Sequence, residues 1–186
     1  MSVDSSLACA GYAIADDSKP GWIIVTNAVK TPSHQAEGVR LAHLYKEFKK
    51  VFKKYKPHHV VFEAHYLGPN PDTFMRLCWA QGVIIMAARE AGAEVSFLTP
   101  TEVKQAVTGS GNANKEKVAQ YILALYTQCP AVIKFKAWVL ENPTMKTDDM
   151  TDAMAILHTW RMVQRGEYHR ERKAKRGRKS KKAKTI

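Results

Sequence analysis

Three short β-favouring runs crowd the first thirty residues: around Val3, from Gly11 to Ala15, and from Trp22 to Val29, the last two separated by Asp16-Asp17-Ser18-Lys19-Pro20-Gly21. Runs this short with turn-formers between them predict a strand and then a hairpin, hence an antiparallel trio. The period then changes. Between His34 and Lys56, Leu41, Leu44, Phe48, Val51, Phe52 and Tyr55 recur at three- and four-residue steps with lysines between them, which predicts an amphipathic helix stopped by Pro57. HHVVFE, from His58 to Glu63, follows as a short buried strand with a carboxylate at its end.

Helices and strands alternate from there. Asp72 or Thr73 is the expected cap of a helix whose apolar side includes Phe74, Leu77, Cys78, Ile84, Ile85 and Ala88, with Gly92 as its stop. A strand over Glu94 to Leu98 precedes Thr99-Pro100-Thr101-Glu102, a capping box with proline at the first helical position. Gly109 ends that short helix. Further helices are expected from about Asn114 to Tyr126, within Pro130 to Met145, and from near Thr147. The pattern predicts an α/β fold in which a mixed sheet, antiparallel hairpin strands plus parallel strands, is flanked by helices.

Charge divides the chain. Of its 186 residues 29 are Lys or Arg and 17 are Asp or Glu, a net charge of +12, and ten of those net charges lie from Arg161 onward. We therefore expect a folded body over residues 1–166 and a basic, disordered tail over 167–186. In the tail Arg170, Arg172, Lys173, Lys175, Arg176, Arg178, Lys179, Lys181 and Lys182 are candidate phosphate contacts, giving DNA affinity without sequence information. The longest apolar run, Val83 to Ala88, is far shorter than the roughly 20 residues of a membrane span, and MSVDSS is no signal peptide. A cytoplasmic protein without membrane association is the expectation. Cys9, Cys78 and Cys129 form no metal or disulfide pattern and read as reduced core residues.

Carboxylates beside apolar segments are the informative ones, since an unpaired buried charge is costly. Asp4 lies in the first strand region, Glu63 ends the buried strand, and Asp149 and Asp152 stand three residues apart in DMTDAMAIL, on one face of a core-facing helix. Each has an ordinary explanation too: a turn for Asp4, a salt bridge for Glu63, and for Asp148, Asp149 and Asp152 the preference of a helix N-terminus for acids. If the four converge, Mg²⁺, or Mn²⁺, is the natural counter-charge for such hard oxygen donors. Two ions about 3.5 to 4 Å apart would suit phosphodiester hydrolysis.

The succession SVDSSLACAGYAIAD, VVFEAHYLGPN, AQGVIIMAA, TPTEVKQAVTGSGNANKEKVAQYI and DDMTDAMAILH resembles the RuvC family of Holliday junction resolvases, which have the RNase H-like fold, over about residues 2 to 160. The resemblance implies a crossover junction endodeoxyribonuclease that nicks four-way or related branched DNA symmetrically. It makes Asp4, Glu63, Asp149 and Asp152 the ligands of two divalent ions. It also matches Lys104 and Lys115 to basic positions near the scissile phosphate, with Lys117 on the adjacent turn, and Tyr66 to an aromatic position that stacks on a base. Homodimerisation is implied as well, because paired cuts call for paired sites; a helix over 73 to 91, through Ala80, Gly82, Ala87 and Ala88, is the expected contact. The chain departs from the family at Ser5-Ser6, where Pro-Gly is usual, and in a longer stretch from Cys129 to Lys146. These mark a divergent member, plausibly viral or phage. Two readings stand beside this one: a wider branched substrate range including flaps, forks and RNA-DNA hybrids, or binding of structured DNA without cleavage.

Overall fold

The computed structural model describes residues 1–16, 18, 22–142 and 148–168. Strands β1 (Ser2–Asp4), β2 (Cys9–Ala15), β3 (Ile23–Lys30), β4 (His59–Glu63) and β5 (Glu94–Leu98) form one sheet in the order β3-β2-β1-β4-β5. The hairpin strands pair antiparallel, whereas β1 with β4 and β4 with β5 run parallel. Helices α1 (Glu37–Tyr55) and α2 (Pro71–Glu90) cover one face; α3 (Pro100–Thr108), α4 (Lys115–Leu125), α5 (Pro130–Glu141) and α6 (Asp148–Gln164) cover the other. This is the expected mixed α/β architecture.

The strand pleat divides the core in two. Val3, Tyr12, Ile14, Val60 and Phe62 pack with Leu44, Phe48, Phe52 and Ile84 under α1 and α2. Ala13 and Val61, one residue out of phase, pack with Ile122, Met154 and Ile156 on the far side. Successive strand residues face opposite ways, so each strand feeds both cores. A fully buried Phe, Leu or Ile contributes about 1.5 to 3 kcal/mol, which leaves little freedom to slip the register.

Helix ends follow local chemistry. Thr99 and Glu102 form the expected reciprocal capping box, and Gly109 closes α3 at φ 75°. Asn114 caps α4, its side chain accepting from the Lys117 amide at 2.9 Å. The α2 cap differs from expectation: Asn70, not Asp72 or Thr73, accepts from the Thr73 amide at 3.1 Å, because Pro71 takes the first helical position. Lys56 ends α1 in the left-handed region at φ 45°, immediately before Pro57. Two further expectations are corrected on α2. Cys78 is exposed, leaving Cys129 as the buried thiol and Cys9 half-buried. Ala80, Ala87 and Ala88 are spent on the protein's own core. The helix is apolar around most of its circumference, so sequence period alone does not tell its inner face from its outer.

Tyr168, within the stretch expected to be tail, is buried. No helix among the described residues is long and apolar enough to cross a membrane.

The sheet and α6 meet at Gly11. A Cβ at this position would lie 2.0 Å from the Asp149 carbonyl oxygen and 2.3 Å from its carbon, both backbone atoms. We expect Gly11→Ala to lower stability by about 2 kcal/mol or more, since the clash is relieved only by displacing the helix. Urea unfolding of the variant beside the wild type measures it; an unchanged midpoint would contradict this packing.

Candidate active site

Two adjacent strands place the first pair of acids. Val3 faces the α1/α2 core, so Ser2 and Asp4 face α6; Val60 and Phe62 face the same way as Val3, so Val61 and Glu63 face α6 too. Parallel pairing of Ser2 with Val61 and Val3 with Phe62 brings Asp4 level with Glu63 at the same end of neighbouring strands, about 4.8 Å apart across the ladder.

Helix α6 delivers the second pair. Its first turn rests on Gly11, which sits opposite Asp4 in the antiparallel β1–β2 pairing. One turn further, the Ser2 hydroxyl donates to the Ala153 carbonyl at 2.6 Å, a buried bond that pins the helix to β1. Asp149 and Asp152 are thereby held over the strand ends that carry Asp4 and Glu63. Asp149 also accepts a hydrogen bond from the Cys9 thiol; burial, then that carboxylate, pushes the thiol up to about 12, which leaves it protonated and unreactive.

The carboxylates register on one another. Asp4 is pushed up to about 8, by burial first and then by the charges of Asp152, Glu63 and Asp149. Glu63 is pushed up to about 7 by burial and Asp152, against the pull of Lys115 and Lys104. Asp152 is raised by burial although Lys115 Nζ stands 2.9 Å from its Oδ2. Burial works against the Lys115 ammonium, but Asp152, Asp4 and Asp148 outweigh it and raise its pKa. One lysine thus faces Asp4, Glu63 and Asp152 together with Asp148.

Among the described residues, no three His, Cys, Asp or Glu side chains stand gathered as a ready ligand cage. The donor set nevertheless fits a hard divalent cation: oxygen donors only, on rigid elements, with excess negative charge already registered in the raised acids. Asp4, Glu63, Asp149 and Asp152 are the residues that would hold it, through side-chain rotation and release of Asp152 from Lys115.

The surrounding residues support this end of the sheet. Gln81 Nε2 donates to the Glu63 carbonyl at 2.9 Å and to the Ser5 hydroxyl at 3.2 Å, and Ser5 Oγ also meets His65 Nε2 at 3.2 Å. Ser5 is itself buried, so this network closes the turn after β1 from within the protein. His158 is spent elsewhere, its Nδ1 2.9 Å from the Tyr126 hydroxyl.

Of the expected DNA-facing residues, Lys104 is close enough for its charge to lower Glu63's pKa, and Lys115 bonds Asp152. Lys117 is exposed two residues further along α4. Tyr66, three residues past Glu63, is 73% exposed beside the equally bare Leu67. The tail candidates Arg170, Arg172, Lys173, Lys175, Arg176, Arg178, Lys179, Lys181 and Lys182 lie outside the described residues. Reading the sequence missed Ser2, Gly11 and Gln81. A signal existed for two of them: a lone glycine in a strand often marks close backbone approach, and alternation from Val3 places Ser2 on the face of Asp4. Gln81 carried none.

Raised acids make this site a cost to stability. Asp4 binds its proton more tightly folded than unfolded, so its own contribution to stability is most favourable below about pH 4 and is lost as pH rises towards 8. Without divalent ions, Asp4→Asn should stabilise the protein at pH 7.5 by on the order of 2 kcal/mol, discounted because Asp4 keeps some contact with solvent. The gain should shrink towards zero near pH 4. Thermal unfolding in EDTA across that range tests it, and a destabilised variant at pH 7.5 would contradict the account.

The family model described as "Crossover junction endodeoxyribonuclease RuvC" matches residues 1–159. A crossover junction endodeoxyribonuclease RuvC of Dictyoglomus thermophilum is 36% identical over 165 residues, 88% of this chain and 96% of that one. Its counterpart in Desulfitobacterium hafniense is 33% identical over 157 residues, 84% of this chain and 87% of that one. The fold is similar to Thermus thermophilus RuvC solved in complex with Holliday junction substrate, with a TM-score of 0.72 at 23% identity, covering 89% of this chain and 94% of that one. It is more distantly similar to the yeast mitochondrial Holliday junction resolvase, with a TM-score of 0.59 at 15% identity, covering 94% and 83%. With a family model matched over residues 1–159 and a relative 36% identical over 88% of its length, the chain belongs to the crossover junction endodeoxyribonuclease RuvC family.

Proposed function

We propose that this chain is a metal-dependent endonuclease that nicks two opposed strands of four-way or related branched DNA, with Asp4, Glu63, Asp149 and Asp152 as the ligands of Mg²⁺. The observation that carries the reading is the facing of these four carboxylates across β1, β4 and α6, where Asp4 is pushed up to about 8 by burial and by its three neighbours. Held by these four residues, divalent ions would supply an activated water and charge stabilisation at the departing 3′ oxygen. The protein's own groups do the positioning. Lys115 and Lys104 offer point charges to phosphate oxygens at the rim of the acidic centre, and Lys117 extends that surface. Tyr66, exposed on the loop after β4, offers a stacking surface for an unpaired junction base, worth roughly 1 to 3 kcal/mol. The basic residues after Tyr168 add sequence-blind affinity for the arms.

Mutation of a ligand should separate binding from chemistry. Glu63→Gln should retain junction affinity within about threefold while losing at least a thousandfold in cleavage rate with Mg²⁺ supplied. Labelled four-way junction, flap, linear duplex and RNA-DNA hybrid, incubated with and without Mg²⁺, test the reading. Paired ligatable nicks in the junction support it; undiminished cleavage by Glu63→Gln, or binding without cleavage by the wild type, overturns it.

Two opposed nicks call for two copies, and α2 presents a face for the second. Met75, Trp79 and Met86 are 43%, 43% and 58% exposed, and with Cys78 and Gly82 they follow helical steps along one side. The opposite side, with Ala80, Ile84, Ala87 and Ala88, is buried in the body. We propose that a homodimer forms through the outer stripe. Trp79→Glu with Met86→Glu should convert the dimer to monomer in sedimentation while leaving the fold intact, and should abolish paired nicking; a variant that remains dimeric overturns this assignment.

A further inference from the structure

At the end of the sheet opposite the acids lies a cleft of about 710 Å³. It opens between the end of α1, the start of β4 and the last turns of α6, with Lys56, His59, Trp160, Arg161 and Arg165 among its lining residues and Asp16 as its carboxylate. From Asp149 to Arg161 along α6 is roughly 18 Å. The cleft is therefore separate from the acidic centre, and one phosphate does not span both.

Its chemistry is that of an anion site with an aromatic wall. Among the described residues, no carboxylate lies within ion-pair distance of Lys56, Arg161 or Arg165. The Asp16 carboxylate accepts from the Ser18 amide at 2.9 Å. His59 and Trp160, both lining the cleft, stack with ring centroids 4.3 Å apart, and His59 is held in place by the Ser96 hydroxyl at 2.7 Å and Glu94 at 3.5 Å. Helices α1 and α6 both end here, and helix C-termini favour cations. That preference explains why basic residues gather at this end. It does not explain why they surround a hollow of nucleotide size, since such pockets commonly run from about 300 to 1,000 Å³.

We propose that this cleft is a second phosphate-binding site, taking a phosphate flanked by a base. Lys56, Arg161 and Arg165 meet the phosphate, and the base lies against the His59–Trp160 pair. The same chemistry is offered by a nucleic-acid strand passing behind the catalytic end and by a free nucleotide. The strand is favoured, because the sequence after Tyr168 is strongly basic, a composition that suits a polyanion rather than a single nucleotide. The site stands independently of the nuclease reading.

The test uses full-length protein in EDTA, so nothing is cleaved, and follows the Trp160 indole NMR signal, assigned from Trp160→Phe. The probes are an eight-nucleotide single-stranded DNA, ATP and inorganic phosphate. Saturable movement of that signal is expected, with apparent affinity falling at least tenfold in the double variant Lys56→Asn, Arg165→Gln; asparagine suits the left-handed backbone at position 56. Unchanged signals from Trp22, Trp79 and Trp138 certify that the variant is folded. Movement with the oligonucleotide alone identifies a strand, and tighter binding of ATP a free nucleotide. Movement with inorganic phosphate equal to both supports the cations and removes the base contact. A Trp160 signal that none of the three moves, or equal affinity in the double variant, overturns the proposal. Failure of the nuclease reading leaves this outcome intact, because the readout does not depend on cleavage.

Discussion

Close contact between α6 and Gly11 is the constraint on which the rest of the site depends. The helix backbone lies where a side chain at position 11 would be. The Ser2 hydroxyl, buried under the helix, fixes its height along β1 through the Ala153 carbonyl. Those two contacts set where Asp149 and Asp152 hang relative to the strand ends. Because β1 and β4 are parallel and in register, Asp4 and Glu63 are already side by side there. A small residue, a small hydroxyl and a parallel pairing thus fix four carboxylates from three elements distant in sequence.

That arrangement stands against the electrostatics of folding. Burial and mutual repulsion push Asp4 up to about 8 and Glu63 up to about 7. Lys115 offsets part of the charge at Asp152 but does not bring that acid below its ordinary range. A core elsewhere this well packed carries the cost: Phe48, Phe52 and Phe62 are fully buried or nearly so, as are Ile84, Ile122 and Met154. Stability spent at a convergent acidic site is the usual sign of a site shaped by its ligand rather than by folding.

The polarity of the molecule follows α6. Its N-terminus brings acids to one end of the sheet, and its C-terminus brings Arg161, beside Arg165, to the other, as the helix dipole favours at each end. The chain's net charge of +12 is therefore not a uniform coat: Lys104 and Lys115 stand by the acidic centre, Lys56, Arg161 and Arg165 line a cleft behind it, and ten of the net charges fall from Arg161 onward in the sequence.

Much of this was legible from residues alone. Short β-favouring runs, three- and four-residue apolar spacing, and cap and turn residues located the strands and helices seen among the described residues, and the Thr99–Glu102 capping box was readable to the residue. The acids were legible as candidates because charge beside apolar sequence is expensive. Local chemistry did not decide their meeting, because an aspartate in a first helical turn reads the same whether it caps, pairs or binds metal. Nor did it tell the two sides of α2 apart, or show that Asn70 rather than Asp72 caps it. Gln81 was beyond reach, since its partners Ser5 and Glu63 lie 76 and 18 residues away. What the sequence determined by itself is what depends on neighbours along the chain: element type, helix caps, turn positions and the uneven charge. Only the tertiary structure decided which acids face one another, which side of α2 is bare and where a cleft opens, because these depend on parallel strand register and on how closely α6 approaches Gly11.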